Sequence, residues 1–193
     1  MFIKICGMTT SDAVAAAVAA GADALGFVFA PSPREVSPER ALELTAEVPA
    51  RVVRVAVLHH PSAAHFERVV ATFAPDWVQT DAEDLEALPT AAPLVLPVFR
   101  NGRVPPGPRP ARLLFEGARS GTGTTADWNE ARALAAQTEL VLAGGLNPDN
   151  IAAAITYVRP WGVDVSSGVE RAPGRKDPDR INEFVARVRA LEA

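Results

Sequence analysis

Short apolar runs alternate with alanine-rich, helix-like stretches along the whole chain. Apolar runs of four to eight residues bounded by turn signals read as buried strands. They fall at residues 2–6, 24–29, 52–58, 94–100, 112–116, 139–143 and 162–166, with a shorter fourth run at 77–79. Helical stretches follow at about 11–20, 37–48, 62–73, 83–88, 127–137, 147–158 and 179–191. Gly21 stops the first of these. Ser37-Pro38-Glu39 supplies an N-cap, a proline at the first helical position and an acid in the first turn, and Asn147-Pro148-Asp149 repeats the device.

The alternation falters once. Residues 101–110, NGRVPPGPRP, cannot form a regular helix, because proline removes a donor and fixes φ. The stretch reads as a loop where a fifth helix would otherwise sit. Strict βα alternation implies a parallel sheet with right-handed crossovers, so eight units predict an α/β fold of the (β/α)8 TIM-barrel type. A single domain spanning 1–193 is expected. Its 193 residues lie just under the usual floor of about 200, and the missing helix accounts for the shortfall. A doubly wound open sheet is the alternative, but the first βα junction reads CGMTT and lacks the glycine-rich fingerprint.

Side chains alternate along a strand, so one parity faces the barrel interior. Ile3 and Ile5 face the helices, which turns Lys4 and Cys6 inward. By the same reading Arg54 points inward between Val53 and Val55, Glu116 points inward with Leu114, and Asp164 and Ser166 point inward past Val163 and Val165. A buried charge needs a partner. The first and last strands are neighbours in a closed barrel, so Lys4 and Asp164 should pair. Lys4, Arg54 and Asp164 could equally form a network that only fixes the fold. Cys6 and Glu116 end their strands, where barrel enzymes place their chemistry.

Composition narrows the class. The formal net charge of −4 argues against nucleic-acid binding, and no apolar run approaches a membrane span. One cysteine excludes an internal disulfide framework. The N-terminal MFIKICGMTT lacks the apolar stretch and cleavage site of a signal peptide, so a soluble cytoplasmic protein is expected. Arginine carries nearly all the positive charge, and the only lysines are Lys4 and Lys176.

Two segments look like anion cradles. Gly144 and Gly145 follow the seventh strand, while Ser166, Ser167 and Gly168 follow the eighth. These are the loops that recurrently bind phosphate in such barrels, where backbone N–H groups and hydroxyls converge. Each segment alone could be a mere tight turn. Gly121-Thr122-Gly123 lacks a P-loop ending and reads as a loop over the site. His59, His60 and His65 show no metal-ligand spacing, so no metal is expected.

The blocks KICGMTT, ADALGFVFAPSPREVSP, LAGGLNPDNI and GVDVSSGVERAPGRKD together resemble the phosphoribosylanthranilate isomerase family of tryptophan biosynthesis. The resemblance implies a (β/α)8 barrel and an Amadori rearrangement of N-(5-phosphoribosyl)anthranilate, without cofactor or metal. It implies Cys6 as general base and, counting back from Gly121, Glu116 as general acid. It assigns Arg34 to the anthranilate carboxylate, which suits a bidentate guanidinium. The partner is then a small phosphosugar–anthranilate substrate, with a monomer or homodimer as the assembly.

Three departures stand out. Glu116 replaces an aspartate, and Asp127 is the fallback acid, although it sits where an N-cap is expected. Strand four reads Gln79-Thr80-Asp81-Ala82 instead of Gln-Leu-His-Gly, which keeps Gln79 but loses the histidine or gives its role to Asp81. The third is the proline-rich stretch. A different phosphate-barrel enzyme, such as a lyase or epimerase, and a silent phospho-ligand binder are the competing readings.

Overall fold

The computed structural model describes residues 1–89, 93–102, 109–117 and 126–192. Within them eight parallel strands close into a barrel in chain order. They are β1 (Phe2–Cys6), β2 (Ala24–Val28), β3 (Val53–Val57), β4 (Trp77–Asp81), β5 (Leu94–Arg100), β6 (Arg112–Glu116), β7 (Glu139–Leu142) and β8 (Gly162–Val165). β8 pairs back onto β1, with Lys4 opposite Asp164. Closure excludes the open doubly wound sheet.

The outer layer comprises α1 (Ser11–Ala20), α2 (Pro38–Leu44), α3 (Ala63–Phe73), α4 (Trp128–Ala135), α5 (Ile151–Val158) and α6 (Pro178–Arg189). Gly21, at φ 90°, caps α1 by donating to Ala17 and Val18. The Ser37 hydroxyl accepts from the Arg40 N–H, with Pro38 at the first helical position. α2 stops short of residue 48 because the Thr45 hydroxyl donates back to the Ala41 and Leu42 carbonyls, in competition with the continuing ladder. α5 starts at Ile151, later than the Asn147-Pro148 signal suggests. Asn147 Oδ1 does accept from the Asp149 and Asn150 N–H groups, but the turn it caps only leads into the helix.

The weak helical stretch after β4 is a 3-10 helix, Ala82–Ala87. A short antiparallel hairpin, β9 (Glu170–Ala172) with β10 (Arg175–Lys176), lies between β8 and α6 and was not anticipated. After β5, Asn101 and Gly102 turn and are tied to the start of α4. Asn101 Oδ1 accepts from the Asp127 N–H at 3.0 Å, and the Gly102 N–H donates to Glu130 at 3.0 Å. The remainder of the proline-rich stretch, 103–108, and the 121–123 segment lie outside the described residues.

Two hydrophobic layers follow from strand parity. Ile3, Ile5, Leu25, Phe27, Leu113, Phe115, Val163 and Val165 pack outward against helix residues such as Phe184. Leu96, Val98, Leu114, Val141 and Ala143 fill the interior, with Phe2, Trp77 and Trp161 packed against them. Phe2 stacks on both indoles, and the Arg112 guanidinium lies 3.9 Å from the Trp161 ring centroid, a cation–π contact. These rings plug the N-terminal end of the barrel, which leaves the other end for a pocket.

Arg54 corrects the sequence reading. It faces the helices, with its guanidinium over the Phe73 ring and paired with Asp76 at 3.2 Å. Val55 is therefore the inward residue. A long arginine can cover apolar surface with its stem while its head reaches water, so its charge was no guide to direction.

Lys4 is fully buried, and its Nζ donates to Asp164 Oδ1 at 2.7 Å. Removing one partner of such a pair strands the other charge in the interior. Asp164→Asn should cost about 3–5 kcal/mol. Thermal unfolding followed by circular dichroism should then show a fall in Tm on the order of 10 °C.

Candidate active site

Inward parity brings polar groups together at the C-terminal ends of the strands. They line a pocket of about 510 Å³ that includes Cys6, Arg34, Gln79, Asp81, Glu116, Asp164 and Ser166. Also on its wall are His59, His60 and Arg100, which sequence reasoning missed.

On one side, Cys6 lies over the Lys4–Asp164 pair. Gly26 on β2 makes the room: a Cβ there would meet Cys6 Sγ at 2.9 Å and Lys4 Nζ at 3.1 Å. Burial acts first on Cys6 and pushes its thiol up. Lys4 and Lys176 pull the other way, while Asp164 adds to the rise. Burial by itself would lower the Lys4 ammonium, but the charges of Asp164 and Cys6 outweigh it and hold the group above its ordinary range. Lys4 beside Cys6 is thus a pairing able to stabilise a thiolate.

The hairpin after β8 supplies a second network. Glu170 accepts from Arg34 Nε and Nη2, both at 2.8 Å, and from Lys176 Nζ at 2.8 Å. Burial raises the Glu170 carboxyl, yet those bonds outweigh it and the group lies below its usual range. Burial lowers Lys176 despite Glu170. Lys176 also donates to the Ser166 carbonyl and hydroxyl, and Ser166 Oγ donates to the Cys6 carbonyl at 3.1 Å. The fork of Arg34 is thus filled by Glu170, which fixes the guanidinium plane at the pocket wall. Glu170 carried no signal beyond its place in the GVER block.

Across the pocket, Arg100 ends β5. Its Nη1 lies 2.5 Å from Asp81 Oδ1, and its Nη2 lies 3.0 Å from Glu116 Oε1. One guanidinium thus holds both carboxylates. Extending the parity of Leu96 and Val98 would have found it. Gln79 Oε1 is buried and has no hydrogen-bond partner among the described residues, so it is available to a ligand donor. Asp127 is committed elsewhere, since its carboxylate caps α4 through the Asn129 and Glu130 N–H groups.

Gly144, Gly145, Ser167 and Gly168 sit on loops adjoining Ser166. Gly144 and Gly145 have φ of 84° and 65°. A Cβ on Gly168 would lie 1.9 Å from the Leu146 carbonyl oxygen, so the loops after β7 and β8 touch only because residue 168 has no side chain. Gly168→Ala should force them apart. Inorganic phosphate, titrated by calorimetry, should then bind at least about tenfold more weakly, a loss of roughly 1.4 kcal/mol.

A closed parallel barrel with a thiol, carboxylates and guanidinium groups around one C-terminal pocket defines a class, a (β/α)8-barrel enzyme equipped for proton transfer. Residues 3–187 match the family model for N-(5'phosphoribosyl)anthranilate (PRA) isomerase. The N-(5'-phosphoribosyl)anthranilate isomerase of Streptococcus pneumoniae (strain JJA) is 42% identical over 191 residues, covering 97% of this chain and 95% of its own. The solved structure of TrpF from Jonesia denitrificans is 36% identical, with a TM-score of 0.88 over 100% of this chain and 98% of its own. A phosphoribosyl anthranilate isomerase in complex with reduced 1-(o-carboxyphenylamino)-1-deoxyribulose 5-phosphate is 32% identical. Its TM-score is 0.82 over 99% of this chain and 100% of its own. The chain belongs to the N-(5'-phosphoribosyl)anthranilate isomerase family.

Proposed function

We propose that the protein converts N-(5'-phosphoribosyl)anthranilate into 1-(2-carboxyphenylamino)-1-deoxyribulose 5-phosphate, a step of tryptophan biosynthesis, with Glu116 as general acid and Cys6 as general base. The observation that carries this reading is that Cys6 and Glu116, from β1 and β6, line one pocket in a chain of this family.

Glu116 gives its proton to the furanose ring oxygen, the C1'–O bond breaks, and the nitrogen lone pair forms a protonated Schiff base. The Cys6 thiolate then removes the C2' proton, and that electron pair neutralises the iminium to give an enolamine. Tautomerisation places a carbonyl at C2'. No net oxidation occurs, because the hydrogen lost from C2' is balanced by the one gained at C1'. Each transfer by a positioned side chain contributes about 10²–10⁴-fold.

The remaining residues act on charge. The Lys4 ammonium, fixed by Asp164, stabilises the Cys6 thiolate. Arg34 binds the anthranilate carboxylate, with its plane set by Glu170. The substrate phosphate binds at the β7 and β8 loops, through N–H groups around Gly144, Gly145, Ser167 and Gly168 and the Ser166 hydroxyl. Gln79 accepts a substrate donor.

The test follows the loss of substrate fluorescence on adding the protein. Acceleration over the spontaneous rate is expected, and an unaccelerated reaction would sink the enzymatic reading.

A further inference from the structure

Several groups at the pocket mouth have no part in that reaction. His59 and His60 follow β3, and Asp81 ends the neighbouring β4. We propose that His59, His60 and Asp81 form a binding site for a first-row divalent transition-metal ion of the zinc type, and that the bound ion obstructs the substrate pocket.

The donors are suitably spaced. His59 Nδ1 lies 2.8 Å from Asp81 Oδ2, and His60 Nε2 lies 3.5 Å from the same oxygen. One donor atom from each of the three residues falls within 4.8 Å of the others. Ligands at zinc bond lengths in a tetrahedral arrangement sit about 3.3 Å apart, so small side-chain movements bring all three onto one ion. Two imidazoles and a carboxylate are a common zinc set, and the fourth position is left open.

The surroundings orient these donors. Asp84 Oδ1 lies 2.6 Å from His60 Nδ1, and Asp84 Oδ2 accepts from the His60 N–H at 3.1 Å and from the Thr80 hydroxyl at 2.5 Å. A carboxylate on the far ring nitrogen fixes the tautomer that leaves Nε2 as a ligand, the usual outer partner of a metal-bound histidine. His60 also adopts φ 45°, a left-handed conformation that is uncommon for a residue other than glycine. It brings the two imidazole rings to a centroid separation of 4.2 Å. Arg100 occupies Asp81 Oδ1 and leaves Oδ2 for the ion. That guanidinium also opposes a second cation, so the site should favour reversible binding.

The three donors belong to the wall of the pocket that holds Cys6 and Glu116. An ion there stands in the way of the substrate. His65 is excluded from the set because its Nε2 meets the Phe29 carbonyl at 2.8 Å.

Zinc titration of tag-free protein by calorimetry, with visible absorption of the cobalt form, tests the assignment. One ion per chain is expected, with about tenfold or greater loss of affinity in His60→Gln. That residue is half exposed, so circular dichroism should match wild type, and zinc inhibition is read as a fraction of each protein's own metal-free turnover. Cys6→Ser should bind zinc normally. Zinc should inhibit wild-type turnover reversibly and spare His60→Gln. Equal affinity in wild type and His60→Gln, or loss of binding in Cys6→Ser, would overturn the site. Bound zinc with undiminished turnover would overturn its obstruction of the pocket. The binding measurements are independent of the reaction assigned above.

Discussion

Replacing Cys6 by serine should lower kcat by about 10²–10⁴-fold and leave affinity for a reduced product analogue largely intact. A serine hydroxyl fills nearly the same space but holds its proton far more tightly than a thiol at any working pH. The native thiol is already pushed up, first by burial and then by Asp164, with Lys4 and Lys176 opposing. The reacting form is the thiolate, so ionisation of Cys6 contributes to kcat/KM a factor that rises about tenfold per pH unit below that raised value, while loss of the donor's proton contributes a factor that falls as pH rises. In Cys6→Ser the rising factor should vanish. A purely structural role for Cys6 would lower stability without removing that factor, so the pH profile separates the two readings.

Glu116→Gln should cost a comparable factor. Glutamine keeps the shape and one acceptor for Arg100, but it has no proton to deliver to the ring oxygen. Arg100 Nη2 lies 3.0 Å from the carboxylate, so donation requires substrate to draw Glu116 away from that guanidinium. Glu116→Asp is the informative companion. It restores the residue that the family pattern implies but withdraws the carboxyl by about one bond length, and a displacement of about 1 Å can cost on the order of 100-fold. Full activity in Glu116→Gln would move the acid role to another carboxyl. Asp81, held by the same Arg100 guanidinium on the same pocket wall, would be the first to test, since Asp127 is occupied in capping α4.

The alternation of strands and helices was legible because it depends on local periodicity and capping. The eight strands lie where the apolar runs do, and Ser37, Ser62 and Asp127 cap the helices they precede. Inward parity was also legible on β1, β6 and β8, where apolar neighbours flank each polar residue. It failed on β3, where Arg54 was read as inward. The error had a consequence, because the correct parity carries Val55 and Val57 inward and turns His59 towards the mouth of the barrel.

The sequence alone therefore determined the barrel, its Lys4–Asp164 pair and the two residues proposed to move protons. The barrel and the pair follow from local pattern and from the adjacency of first and last strands on closure, while the roles of Cys6 and Glu116 rest on the family resemblance added to their places at strand ends. Only the tertiary structure decided that Glu170 holds Arg34, that Arg100 bridges Asp81 and Glu116, and that His59, His60 and Asp81 meet. These partners lie 136, 19, 16 and 22 residues apart. Their meeting depends on the register and twist of a closed sheet, which no local pattern encodes.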